Sequence, residues 1–128
     1  MATHKLTIYG ELPSLNDYTN GQRRNRFVGA KLKKQATFQC EVATRKAMAD
    51  GFKFPLHSDV ICHWYAKDKR KDKDNIAFAL KFIFDGMQQA HLIENDNWVQ
   101  IGNIHHEFNV DKSNPRVEVE IMEETNNE

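Results

Sequence analysis

Asp72 and Asp74 stand two residues apart in "RKDKDN" (residues 70–75), at the end of a run of cations formed by Lys67, Lys69, Arg70, Lys71 and Lys73. In an extended stretch, residues two apart project to the same side, so both carboxylates can face one point. Asp96, in "IENDNW", adds a third acidic side chain. If the three converge, their repulsion at neutral pH calls for a cation among them. An all-oxygen donor set suits Mg2+ or Mn2+ rather than Zn2+. The lysines and arginines around it would draw a polyanion to that cation. A hard cation beside a phosphate-binding surface is the arrangement used for phosphodiester hydrolysis, in which the metal acidifies a bound water and stabilises charge on the leaving oxygen. Lys81 or Lys73 would steady the pentacovalent phosphate. Two plainer readings compete: Asp74 as a helix cap, and the whole stretch as a solvated loop whose charges cancel.

Other chemistry fits poorly. A calcium loop beginning at Asp72 needs Gly where Ala77 stands and Glu where Ile83 stands. His105 and His106 are adjacent, hence on opposite faces of a strand, and form no zinc-ligand spacing with Cys62 and His63. Neither a glycine-rich phosphate loop nor a serine nucleophile elbow is present. Cys40 and Cys62 lie in apolar-patterned segments and read as reduced core thiols.

Three aspartates so far apart in the chain can meet only if the elements between them bring them together. At 128 residues the chain has the size of one domain, 1–128, with a small core. No apolar run is long enough to span a membrane, and "MATHKLTIYG" lacks the apolar stretch of a signal peptide. A cytoplasmic location, with no membrane partner, is the expectation. Net charge is zero, but residues 1–81 carry 16 Lys+Arg against 8 Asp+Glu, and residues 82–128 carry 2 against 10. That asymmetry predicts a basic face despite the neutral sum.

"HKLTIYG" alternates as a strand. Residues 11–29 have no period and read as a mobile basic loop, in which Arg23, Arg24 and Arg26 beside Tyr18 and Phe27 suit phosphate contacts and stacking. An amphipathic helix follows from Ala30 to about Ala49, stopped by Gly51. "DVICHWYA" reads as a strand covered on both faces. A second helix is expected over residues 75–90, and "NWVQIGNIHHEFNV" and "RVEVEI" read as strands separated by the turn "DKSNP". The order β–α–β–α–β–β predicts a single α+β domain, with two helices packed on a mixed sheet and a closing antiparallel hairpin. The acidic tail, residues 124–128, is expected to be disordered. Trp64 and Trp98 are expected in the core. Asp96 reaches the other two aspartates only if its strand runs back alongside the one ending near Lys67.

The motif order "YGELPSLNDYTN", "KDKDN", "LKFIFDGM" and "IENDNWV" resembles the RusA-type Holliday junction resolvases (crossover junction endodeoxyribonucleases) of bacteria and their phages. The likeness runs over nearly the whole chain. It implies a homodimeric, Mg2+-dependent endonuclease that nicks four-way DNA junctions symmetrically on two strands, in recombination and repair, in a bacterial host or phage-infected cell. The family's essential acidic residues match Asp72, Asp74 and Asp96, and its catalytic lysine matches Lys81. Two departures stand out. Lys81 lies seven residues beyond Asp74, where the type member's lysine comes about one helical turn after the loop; a delayed helix start would restore the fit, and otherwise Lys73 substitutes. Asn95 replaces one of a late acidic pair. The sequence-level reading is therefore a metal-dependent nuclease with Asp72, Asp74 and Asp96 holding the metal, Lys81 supporting the transition state, and Arg23, Arg24, Arg26, Lys69, Arg70, Lys71 and Lys73 binding DNA. The alternatives are a non-catalytic nucleic-acid-binding protein whose aspartates are caps and charge balancers, and a small protein-interaction domain.

Overall fold

Backbone hydrogen bonding builds eight elements in the computed structural model, which describes residues 3–123. They are β1 (Thr3–Tyr9), α1 (Leu15–Arg24), α2 (Arg26–Ala49), β2 (Ser58–Ala66), α3 (Lys73–Ala77), α4 (Leu80–Gln89), β3 (Ile101–Val110) and β4 (Arg116–Met122). The expected tail at 124–128 lies outside the described residues. The strands form one mixed sheet in the order β1-β4-β2-β3: β4 runs antiparallel to both β1 and β2, and β2 runs parallel to β3. This is the α+β class expected.

The last two strands are antiparallel in direction and joined by a short turn, but they are not neighbours, because β2 lies between them. The turn crosses the end of β2, where the Asp111 N–H donates to the Ala66 carbonyl at 2.8 Å. Arg116 closes it, donating to Asp111 and Glu118 and stacking 3.9 Å over the Tyr65 ring.

The segment read as a loop at 11–29 is largely helical. Ser14 and Asp17 form a capping box: the Ser14 hydroxyl accepts from the Asp17 N–H at 3.2 Å, and the Asp17 carboxylate accepts from the Ser14 N–H at 3.0 Å. Two orphan amide donors are thereby satisfied, and α1 starts there. Asn25 breaks α1 in an extended conformation and caps α2, its side-chain oxygen accepting from the Val28 N–H at 2.9 Å. α2 therefore begins four residues before the expected start.

The helix expected over 75–90 is two helices. After α3 the chain tightens into three-residue bonds, Ala79 N–H to the Ile76 carbonyl and Lys81 N–H to the Phe78 carbonyl, and α4 starts afresh at Leu80. Lys81 thus sits in the first turn of a second helix, but the first helix starts at Lys73, directly after Asp72, so no loop insertion delays the helix start.

The helices cover one face of the sheet only. Val60, Cys62 and Trp64 of β2 are buried with Val117, Val119 and Ile121 of β4 and Leu6 and Ile8 of β1, against Phe82, Ile83 and Met87 of α4 and Ala36 and Cys40 of α2. Ile61, His63 and Tyr65 are only half-buried, so β2 is not covered on both faces. The open face is polar: His63 lies 3.2 Å from Glu120 and 3.6 Å from Glu107, and Lys5 pairs with Glu118. Trp64 is in the core as expected, whereas Trp98 is 95% exposed. Trp98 falls in a tight turn before β3 whose backbone is organised by Asn97, and none of the described residues packs over it.

Candidate active-site cleft

A cleft of about 660 Å³ opens where β2 ends and α3 begins. Asp72 and Asp74 line it with Asp68, Lys69, Lys71 and Lys73, while Ile76 and the β3 residues Phe108 and Val110 form its apolar wall. Asp72 occupies the N-cap position of α3 with an extended backbone, yet its carboxylate makes no capping hydrogen bond and forms no ion pair among the described residues. Asp74 spends one oxygen on the Asn75 N–H at 2.9 Å. The cap reading therefore holds in part for Asp74 and fails for Asp72, whose oxygens are free.

α1 positions this loop from the other side. Lys71 Nζ lies 3.2 Å from the Asp17 carboxylate, and the Asn75 side-chain oxygen accepts from the Asn16 N–H at 2.9 Å. Partial burial opposes ionisation of Asp17, but the hydrogen bonds from the Ser14 backbone and from Lys71 outweigh it and hold the carboxyl below its usual pKa. The residue that starts α1 is thus the one that anchors the basic loop. Neither Asp17 nor Asn75 was among the sequence-derived candidates; the S-x-x-D spacing of Ser14–Asp17 was the available signal.

The cations divide into two groups. Lys69, Lys71 and Lys73 line the cleft, with the Lys73 ammonium 5.7 Å from the centre of the Phe108 ring. Arg70 is tethered to Asp68, its N–H donating at 3.0 Å. It borders a second, adjoining cavity of about 230 Å³ shared with Trp64, Ile76 and Lys71. Arg23 and Arg24 end α1 and Arg26 opens α2. All three are exposed and form no ion pair among the described residues, and Arg26 lies 5.2 Å over the exposed Phe27 ring. Lys81 does not line the cleft; its ammonium is 3.9 Å from Asp85, one turn on in α4.

Asp96 is not with the other two aspartates. β2 and β3 are parallel, Ser58 registering with Ile101 and Ala66 with Val110. Asp96 precedes β3, and Asp72 and Asp74 follow β2, so they lie at opposite ends of the same strand pair. About 25 Å of strand separates those ends at ~3.3 Å per residue. The Asp96 turn is pinned at its own end: Asn97 Oδ1 accepts from the Val99 and Gln100 amides at 3.1 Å, and Gln100 Nε2 donates to the Phe54 carbonyl at 3.0 Å. Among the described residues no three His, Cys, Asp or Glu side chains gather as a metal-holding group. The convergence of all three aspartates within one chain is therefore corrected: a parallel crossover separates what an antiparallel return would have joined.

The donors that do gather fit a hard cation. One wholly free carboxylate and one half-engaged carboxylate offer oxygen donors at an open cleft, the donor type that would suit Mg2+ or Mn2+ rather than Zn2+. The thiols offer no rival chemistry. Burial pushes Cys40 up to about 12, with Asp85 adding to the shift, and burial alone does the same to Cys62, leaving both protonated. Among the described residues no helix is long and apolar enough to cross a membrane.

Residues 24–122 match the family described as endodeoxyribonuclease RusA. No curated protein matches the chain closely enough to count as a relative.

Proposed function

The chain belongs to the RusA endodeoxyribonuclease family, and from that premise we propose that it resolves four-way DNA junctions by paired symmetric nicks, as a Mg2+-dependent homodimer serving recombination and repair in the bacterial or phage-infected cytoplasm. The observation that carries this reading is the pair of carboxylates, Asp72 and Asp74, standing among three cleft lysines, with Asp72 committed to no other partner.

The roles follow from position. Asp72 and Asp74 would hold the cation, which when bound would supply a water of lowered pKa and charge stabilisation at the leaving oxygen; Asp96, at the far end of the same strand pair, would not reach it within one chain. Lys69, Lys71 and Lys73 set the scissile phosphate over the carboxylates by neutralising its neighbours. Asp17 holds Lys71 on the cleft, and Asn75 ties the carboxylate loop to α1. Lys81 supports the pentacovalent phosphate once DNA draws its ammonium away from Asp85, a contact of only 3.9 Å between half-exposed groups. Arg23, Arg24 and Arg26, with Arg70, extend phosphate binding beyond the cleft.

The test is incubation of the purified protein with an end-labelled four-way junction, with and without Mg2+. Paired nicks that need the metal are expected. Asp72→Asn should retain junction binding and cut at least about 10²-fold more slowly, the scale of losing a group that stabilises developing charge. If Asp72→Asn cuts at the wild-type rate, the metal assignment is wrong. A protein that binds the junction with strong salt dependence and never cuts it is a binding module, the competing reading.

A further inference from the structure

A second cavity, of about 230 Å³, adjoins the carboxylate cleft, and Ala66, Asp68, Lys71 and Ile76 line both, so the two share a wall. None of the hydrolytic roles needs it. Its floor is apolar, made by buried Trp64 and Val117 with half-buried Leu12. The Trp64 N–H is spent on His106 Nδ1 at 2.9 Å, and among the described residues no buried side-chain nitrogen or oxygen lacks a hydrogen-bond partner. Nothing in that floor holds water tightly, and loosely held water is displaced by an apolar surface with a gain in affinity. The rim, by contrast, is charged: Lys67 pairs with Glu11 at 3.6 Å, and exposed Arg70 lines the same space. Resting on the nuclease reading, we propose that this cavity seats one unstacked nucleobase of the DNA, belonging to a nucleotide next to the scissile phosphate.

Shape and connection select that occupant. A base is a flat ring with apolar faces and hydrogen-bonding edges, which suits an apolar floor beneath a polar rim. An apolar cavity of ~150 Å³ is enough to take up benzene, so about 230 Å³ admits the larger ring system of one base. Lys71, held in place by Asp17, borders both spaces. A phosphate on Lys71 therefore stands at the shared wall, and the group covalently joined to it is a nucleoside. The Lys67–Glu11 pair is long and partly exposed, so it contributes little and parts readily as the base enters.

The subsite gives the enzyme a way to sense branching. Phosphate contacts are offered by duplex and junction alike. Seating a base requires it to leave its stack and its pair, which is costly in continuous duplex and least costly where pairing and stacking are already interrupted. At a four-way branch point the stack is broken on one side. The cavity thus converts DNA shape into an energy difference at the position where the carboxylates act.

The test uses four-way junctions carrying 5-iodouracil at each branch-point nucleotide in turn, irradiated with the wild-type protein without Mg2+. At one position the base should cross-link to Trp64, identified by peptide mass spectrometry, because a base left in its stack cannot reach a buried indole. No cross-link to a residue of the cavity at any position overturns the subsite, whatever the activity. A second arm fills the cavity with Leu12→Trp and compares an intact junction with one made abasic at the cross-linking position. On the intact junction the variant should cut about 10- to 100-fold more slowly than wild type, the worth of one stacked base. On the abasic junction the two proteins should cut alike, since no base needs the space. An equal penalty on both junctions would mean that the cavity takes no base. Cross-linking at Trp64 by a protein that never cuts would keep the subsite and sink only the nuclease reading.

Discussion

Replacing glycine by alanine at two helical positions should change stability in opposite directions. Gly86 in α4 lies against α2, and a Cβ built there would come within 2.5 Å of Cys40 Cβ, 2.7 Å of the Glu41 nitrogen and 2.8 Å of the Cys40 carbonyl carbon. Two of those atoms are backbone in the middle of a 24-residue helix and cannot swing aside. Ordinary contact needs roughly 1 Å more, so the helices must part, and overpacking of this kind costs about 1–3 kcal/mol. Alanine recovers up to ~1 kcal/mol of helix propensity, leaving Gly86→Ala destabilised by up to about 2 kcal/mol. Gly21 in α1 has the same propensity to recover but ordinary surroundings, with Val28 at 3.5 Å and Leu32 at 3.7 Å; Gly21→Ala should gain about 0.5–1 kcal/mol. For a chain of this size the two midpoints should diverge by up to about 12 °C in thermal unfolding followed by circular dichroism, Gly86→Ala below wild type and Gly21→Ala above. Because α4 carries Lys81, Gly86→Ala should also lower cleavage per folded molecule. Two shifts of the same sign would refute the reasoning, since only the α2–α4 approach distinguishes the sites.

Replacing Arg23, Arg24 and Arg26 together by Ala should lower the slope of log binding constant against log salt by about 2–3, at ~0.9 for each phosphate no longer neutralised; an unchanged slope in a salt titration by fluorescence anisotropy would remove them from the DNA surface. His106 accepts the Trp64 indole N–H on Nδ1 at 2.9 Å, and burial first, then the neighbouring His105, lowers its pKa. A lowered histidine pKa means that the unfolded chain binds the proton first, so denaturant stability should be flat above pH 6.5, fall as pH drops below it, and level off beneath the folded-state pKa. His106→Gln should flatten that fall. Trp98→Ala should leave thermal stability within about 0.5 kcal/mol, as for an exposed side chain; a loss well above that in thermal unfolding would mean that Trp98 packs against the folded chain.

Short-range chemistry in this chain is legible and long-range juxtaposition is not. The alternation of "RVEVEI" gave β4, Gly51 marked the end of α2, and the Asp-x-Asp-Asn loop lies between a strand and a helix as its neighbours implied. α1 was missed because polar residues and Gly21 blur its period. What makes it a helix is a capping box worth two hydrogen bonds and a close approach to α2, and only the first is written locally. The break at Phe78–Ala79 is invisible in an apolar run that reads as one helix. Trp98 was misplaced because residue type was allowed to outvote position: a tryptophan between Asn97 and Val99 in a pinned turn has no layer to enter. The position of Asp96 is a case of another kind. Whether the last helix delivers its strand parallel or antiparallel to β2 leaves the local pattern unchanged, yet it decides which end of the sheet Asp96 occupies.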